Sequence, residues 1–316
     1  MDYNILGKTE MKVSKLCFGA LTIGPLQANL PIKDGARVIE EALDRGVNFI
    51  DTAELYKTYG HIKEALKSKN SKDIIIATKS YSYSRRTAEE SLKKALKELG
   101  RDYIDIFLLH EQENEYTLKG HYEALEYFIK MKEKGFIRAV GISTHTVAAV
   151  KAAAKMEEIE IIHPLINKNG LGIMDGTVDD MIKAIKTAKE NNKGIYGMKP
   201  LGGGNLLNSI DDCFDFVLNL PFLDSIAVGM QRLEEVIANV NRFDGKSIPK
   251  DILKKLSKKN RKLHIDFWCK RCGKCVEACK SKALSIQNDK LVVDTEKCVL
   301  CGYCSSYCPE FCIKVV

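Results

Sequence analysis

Runs such as IDIFLL and DIIIAT stop far short of the roughly 20 apolar residues that a membrane helix needs. The opening, MDYNILGKTE, has no apolar stretch of the kind that forms the centre of a secretory signal. Together these absences predict a cytoplasmic protein with no membrane partner. No G-x-G-x-x-G follows any apolar run, which argues against a Rossmann fold, and Gly7-Lys8-Thr9 lacks the upstream glycine of a P-loop. The net charge is +7, but no recognition motif or interleaved aromatic accompanies it, so no nucleic-acid partner is expected. Cysteine is scarce for most of the chain: Cys17 and Cys213 stand alone, and the remainder of the eleven lie from Cys269 onward.

What is present is ordinary for a folded protein. Hydrophobic residues make up 45% and charged residues 29% of the 316, which excludes a disordered or collagen-like chain. Over the first 245 or so residues, short apolar runs alternate with helical patterns. The runs are KLCFGA, VNFIDTA, DIIIATK, YIDIFLLH, IRAVGIS, EIIHPLIN, GIYGMKP and SIAVGM. Between them, ARVIEEALDRG, AEESLKKALKELG, ALEYFIKMKEKG and VDDMIKAIKTAKENNKG space apolar residues at helical intervals. Near-continuous apolar strands suit a parallel sheet buried on both faces, and eight such units favour a closed (β/α)8 TIM barrel. YNILGKTEMKV reads as a small hairpin ahead of it. A connecting helix is predicted over 249–264, long enough to carry the chain from the barrel bottom back to its top rim (about 24 Å). The basic stretch KKLSKKNRKLH within it reads as a solvated face, with docking of an acidic electron partner as the rival. The predicted fold class is α/β: barrel and hairpin over 1–247, connector over 248–264 and a small α+β cysteine-rich domain over 265–316.

Two similar cysteine runs fill that domain. The first is Cys269-x2-Cys272-x2-Cys275-x3-Cys279, the second Cys298-x2-Cys301-x2-Cys304-x3-Cys308-Pro309. This is the spacing of a bacterial ferredoxin with two [4Fe–4S] clusters, in which the fourth cysteine of each run crosses to the other cluster. By that rule Cys269, Cys272, Cys275 and Cys308 hold one cluster, and Cys298, Cys301, Cys304 and Cys279 hold the other. Zinc sites do not need the repeated third and fourth cysteines, and a disulfide framework conflicts with the cytosolic reading. Cys312 is surplus and reads as structural.

In a β/α barrel the chemistry lies at the C-terminal ends of the strands. Four polar residues fall there: Asp51 and Tyr56 after the second strand, Lys79 on the third and His110 after the fourth. A tyrosine beside a lysine cation is expected to have a lowered pKa and to serve as a proton donor.

With these residues in view, the chain resembles the aldo-keto reductases over about residues 3–243. The matching stretches include VSKLCFGALTIG, GVNFIDTAELY, IIIATK, DYIDIFLLH, GFIRAVGIST and MKPLGGG. The resemblance implies a barrel that binds NAD(P)H in an extended pose and reduces an aldehyde or ketone. It implies Tyr56 as general acid, Lys79 polarising its hydroxyl, Asp51 paired with Lys79, and His110 orienting the carbonyl. It carries cofactor contacts onto Ser143, Thr144, His163, Asn167, Met198, Lys199, Pro200, Leu201, Gly202, Gly229, Arg232 and Asn239, with Arg232 favouring NADPH over NADH. Here Thr144, His163 and Met198 stand where the family commonly has Asn, Gln and an aromatic residue, and Lys57 where it has Gly.

Nicotinamide moves two electrons as hydride, while clusters move one at a time. Three functions therefore stand open: a carbonyl reductase whose clusters are structural or sense redox state, an enzyme coupling the barrel to a redox protein or a flavin, and an electron carrier on a retired barrel. No flavin motif is present. The cluster domain is expected beside the active-site mouth.

Overall fold

The computed structural model describes residues 1–69, 73–257 and 261–316. Strands β1 (Tyr3–Ile5) and β2 (Lys12–Ser14) form the antiparallel hairpin. Eight parallel strands follow: β3 (Leu16–Gly19), β4 (Phe49–Asp51), β5 (Ile75–Ser80), β6 (Ile104–Leu109), β7 (Ile137–Thr144), β8 (Ile161–Pro164), β9 (Gly194–Met198) and β10 (Ser225–Gly229). They close in that order, β10 bonding back to β3. Helices α1 (Ile32–Asp44), α2 (Tyr59–Ala65), α3 (Arg85–Leu99), α4 (Glu115–Gly120), α5 (Tyr122–Glu133), α6 (Val147–Ala154), α7 (Val178–Glu190), α8 (Ile210–Leu218) and α9 (Leu233–Phe243) fill the connections.

Local chemistry sets the helix limits. At the start of α3, the Thr87 N–H donates to Ser84 Oγ while the Ser84 N–H donates to Thr87 Oγ1. Such a cap stabilises a helix by about 1 kcal/mol. Gly100 ends α3 at φ 67°, a left-handed position that only glycine adopts cheaply. The barrel interior is filled by Phe49, Ile106, Leu108, Ile161 and Tyr196, and the hairpin's Leu6, Met11 and Val13 close its N-terminal end. A second apolar layer, including Phe107, Phe128, Val150 and Ile185, seals strands to helices.

Beyond the barrel lie α10 (Lys250–Ser257), β11 (Leu263–Ile265), α11 (Lys274–Ala278), β12 (Leu284–Gln287), β13 (Lys290–Val293), α12 (Tyr303–Ser306) and β14 (Ile313–Val315). β11 pairs with β14 and β12 with β13, both antiparallel. The helix expected over 249–264 is thus shorter. Residues 258–260 of that expectation lie outside the described residues, and 263–265 form a strand. The reason is pairing: the C-terminal strand needs a partner, and Leu263 turns to the cysteine-lined core rather than extending the helix.

The cysteine-rich domain docks on the C-terminal face of the barrel, as expected. Phe311 is 3% exposed and packs with Leu165 and Met198. Asn205 Nδ2 donates to the Ile313 carbonyl at 3.1 Å. The loop after β9 lies flat under the tail because it is glycine. A Cβ at Gly204 would stand 2.0 Å from the Val315 carbonyl oxygen, and one at Gly203 2.6 Å from the Lys314 side chain. No helix among the described residues is long and apolar enough to cross a membrane.

Candidate active site and cluster cradles

Four residues on three consecutive strand ends build one charged centre. Asp51 ends β4, and Lys79 stands on β5 with no exposed surface. Lys79 Nζ donates to Asp51 Oδ1 at 2.7 Å, to Oδ2 at 2.8 Å and to the Thr52 carbonyl at 2.7 Å. Those three bonds use every donor of an ammonium group. Tyr56, on the short helical turn after β4, places its ring 5.0 Å under Lys79 Nζ, and its ring centre lies 5.7 Å from that of His110. His110 is buried, and its Nδ1 has no hydrogen-bond partner among the described residues. Sequence placed all four of these residues at strand ends, and the structure brings them together.

A fifth member was not anticipated. Tyr196 of β9 donates to Asp51 Oδ1 at 3.0 Å and stacks on His163, whose Nε2 lies 3.6 Å from the same oxygen. The only signal for it is a single polar residue in the strand GIYGM. Burial opposes charge on Asp51, but Lys79, His163 and Tyr196 outweigh it and hold the carboxyl below its usual range. Burial lowers His163 to about 4 and His110 to about 3, so both rings are neutral near pH 7.

Tyr56 departs from the expectation. Its phenol is raised well above the ordinary value, by burial first and then by the negative charges of Asp51 and Glu111. The expectation counted the Lys79 cation alone, but Asp51 stands directly on that cation and cancels its pull.

A cavity of about 640 Å³ opens beside Tyr56 and His110. That lies within the roughly 300–1,000 Å³ of small-molecule sites. Tyr81 stacks on His110, with ring centres 4.5 Å apart, and its hydroxyl donates to Glu111. Lys199 Nζ donates to His145 Nε2 at 2.8 Å, and Glu111 approaches the same nitrogen at 3.8 Å. Lys314 reaches in from β14, 3.6 Å from the centre of the Phe311 ring, with Asp266 at 3.7 Å. Burial, followed by Lys199, lowers Lys314 to about 7. None of Glu111, His145 and Lys314 was singled out from sequence, because their meeting depends on strand order and on domain docking.

A groove runs from Tyr56 and Asp51 across the barrel mouth. Of the predicted cofactor residues, His163, Met198, Lys199, Pro200, Leu201, Gly229 and Asn239 line it. Ser143, Thr144, Asn167, Gly202 and Arg232 lie outside its lining. Ser143 Oγ accepts the Glu111 N–H, Thr144 Oγ1 accepts the Thr146 N–H, and Asn167 bonds to Leu171 through both ends of its amide. Arg232 pairs with Glu234 at 3.2 Å. Arg242 and Arg261 line the groove instead.

The eight run cysteines fall into two cradles. Cys269, Cys272, Cys275 and Cys308 line one, which Cys312 also borders. Cys279, Cys298, Cys301 and Cys304 line the other. Each thus takes three thiols from one run and the fourth from the other, the donor set of a [4Fe–4S] cube.

Comparison with known proteins agrees with this geometry. The profile of the aldo/keto reductase family matches residues 15–217, and that of the 4Fe-4S dicluster domain matches 268–312. An uncharacterized oxidoreductase, YqkF, of Bacillus subtilis is 22% identical over 79% of this chain and 94% of its own length. L-galactose dehydrogenase of Arabidopsis thaliana is 26% identical over 65% of this chain and 68% of its own. Two solved structures share the fold. A putative aldo-keto reductase of Pseudomonas aeruginosa has a TM-score of 0.66, 23% identity, and 77% and 95% of the two chains covered. An aldo-keto reductase of Bacillus halodurans has a TM-score of 0.64, 22% identity, and 82% and 96% covered. The chain therefore belongs to the aldo/keto reductase family of oxidoreductases, and it carries a 4Fe-4S dicluster domain on the mouth of its barrel.

Proposed function

We propose that the protein is an NAD(P)H-dependent carbonyl reductase in which Tyr56 is the general acid. One observation carries the reading: Tyr56 borders both the groove and the cavity, with His110 beside it and the Asp51–Lys79 pair behind it. When bound, a reduced nicotinamide supplies a hydride and each cluster holds a single electron. Tyr56 gives its phenol proton to the carbonyl oxygen as the carbon is reduced. Neutral His110 donates one N–H to that oxygen and fixes its direction. Asp51 and Lys79, tied by Tyr196, hold the strand ends that carry Tyr56. Met198, Pro200, Leu201, Gly229 and Asn239 hold the cofactor along the groove, while Ser143, Thr144, Asn167 and Gly202 set the backbone beneath it. NADPH is favoured, supported by Arg242 and Arg261 on the groove rather than by Arg232. The two cysteine sets hold two [4Fe–4S] clusters with a structural or sensing role, in a cytoplasmic protein acting on a small carbonyl compound.

A second reading rests on Glu310, which lines both the cavity and the first cradle. In it, barrel chemistry is coupled to one-electron exchange with a redox protein or a flavin. Anaerobic titration of the iron-loaded protein with NADPH separates the two. The first reading expects nucleotide binding, seen in nicotinamide fluorescence, with cluster absorption unchanged. Bleaching of the clusters by NADPH alone would overturn it in favour of the second.

A further inference from the structure

Six residues of the cavity wall come from the cluster domain: Asp266, Phe267, Trp268, Glu310, Phe311 and Lys314. They form two short stretches, and both are anchored at the first cradle. Trp268 directly precedes Cys269, and Phe311 stands between Cys308 and Cys312. The stretches are also tied to each other. The Asp266 N–H donates to the Cys312 carbonyl at 2.8 Å, and Trp268 Nε1 donates to the Glu310 carbonyl at 3.2 Å. Phe311 supplies the buried anchor of this wall, while the two rings at its edge stay in water. Phe267 is 74% exposed and Trp268 38%, packed edge to face with ring centres 5.1 Å apart. Tyr81, 47% exposed, lines the same cavity from the barrel side. Exposed aromatic rings gathered at the mouth of a cavity are a surface prepared for a ligand.

We propose that the cluster domain is the substrate-side wall of the active site, and that this wall selects a carbonyl compound bearing a flat aromatic ring. Phe267 and Trp268 are then specificity-determining residues. The ring meets them and Tyr81, while the carbonyl oxygen points to Tyr56 and His110. The clusters enter through the first cradle, which fixes the position of both wall stretches. The assignment rests on the carbonyl-reductase reading, yet its test needs no turnover.

Binding of acetophenone and of butanone is measured by equilibrium dialysis on the iron-loaded Tyr56→Phe protein. Acetophenone is expected to bind about tenfold tighter than butanone. Phe267→Ala and Trp268→Ala should each weaken acetophenone about three- to tenfold, the worth of one aromatic contact, and leave butanone unchanged. Trp268 is the only tryptophan in the chain, so acetophenone should also quench tryptophan emission, a response absent from Trp268→Ala. If Trp268→Ala loses iron, Phe267→Ala decides, because its ring lies mostly in solvent. Equal affinity for the two ketones, or unchanged acetophenone binding in the variants, overturns the proposal. Failure of the reductase reading would look different: no carbonyl turnover with Tyr56 in place, while the binding difference stands.

Discussion

Lys79 stands 5.0 Å from the centre of the Tyr56 ring, yet all three of its N–H bonds go to Asp51 and Thr52. The cation beside the phenol is already neutralised by a nearer carboxylate. Tyr56 therefore keeps its proton, which suits a donor that must be loaded before the carbonyl arrives. The arrangement gives the site its charge, its pH behaviour and a share of the barrel's stability.

The pH profile follows from the directions of shift. Tyr56 is raised by burial and by Asp51, so it stays protonated through neutral pH and loses activity only as pH climbs through that raised value. His110, at about 3, stays neutral. Neither group therefore puts an inflection into kcat/KM for carbonyl reduction between about pH 5 and 9. Lys314 of the cavity wall, at about 7, is the group that titrates there, and its inflection should vanish in Lys314→Met. An inflection near pH 6.5 that survives Lys314→Met, where an ordinary histidine titrates, would contradict this.

Asp51 and Lys79 should melt as a unit. The depressed pKa of Asp51 means that its stabilisation is present above about pH 3.9 and is lost as pH falls through the folded value. Asp51→Asn leaves Lys79 buried without a counter-charge, which costs about 3–5 kcal/mol. Thermal melts of the iron-loaded protein should show a large drop for Asp51→Asn. Most of that drop should be recovered in the double variant Asp51→Asn, Lys79→Met. Equal melting of single and double variants would show that the pair is not coupled.

Docking of the two domains should depend on Gly204. At φ 84°, with the Val315 carbonyl 2.0 Å from where a Cβ would stand, Gly204→Ala forces the tail off the loop. Gly245, at φ 66° with no described residue within 4 Å of where a Cβ would stand, supplies a control for backbone strain alone. Limited proteolysis should release the cluster domain from Gly204→Ala faster than from Gly245→Ala. Equal rates would assign the effect to strain.

Iron content tests the crossed ligation. Two cubes bring about eight irons per chain. Cys279→Ser, a change in the first run, should damage the cluster held by Cys298, Cys301 and Cys304. Cys308→Ser should damage the one held by Cys269, Cys272 and Cys275. Cys312 lies 3.3 Å, sulfur to sulfur, from Cys308 but is surplus to the set, so Cys312→Ser should keep its iron. Loss of iron from Cys312→Ser would make it a ligand.

The parts legible in sequence are those written in local pattern. A buried parallel strand must be apolar throughout, so IDIFLL and its counterparts mark the barrel directly, and a cube of iron and sulfur fixes cysteine spacing. The illegible parts depend on closure and docking. Tyr196 reaches Asp51 only once β9 comes round beside β10, and Lys199 meets His145 only across strand ends 54 residues apart. Gly203 and Gly204 read as part of a family signature, while their structural duty is to admit the tail. Leu263 fell within the helix expected over 249–264 but was claimed by strand pairing with Val315. Lys57, where the family has glycine, sits at φ 55°, a left-handed conformation that explains the usual glycine. The pKa of Tyr56 needed a second step: the Asp51–Lys79 pair was expected, but that burial and Asp51 would outweigh the lysine's pull on the phenol was not.

The role of Tyr56 is tested most directly by one substitution. Tyr56→Phe in the iron-loaded protein should lower kcat/KM for NADPH-dependent carbonyl reduction by about 10²–10⁴-fold, with nucleotide binding and cluster absorption unchanged. Turnover that survives Tyr56→Phe would remove the general acid from this account.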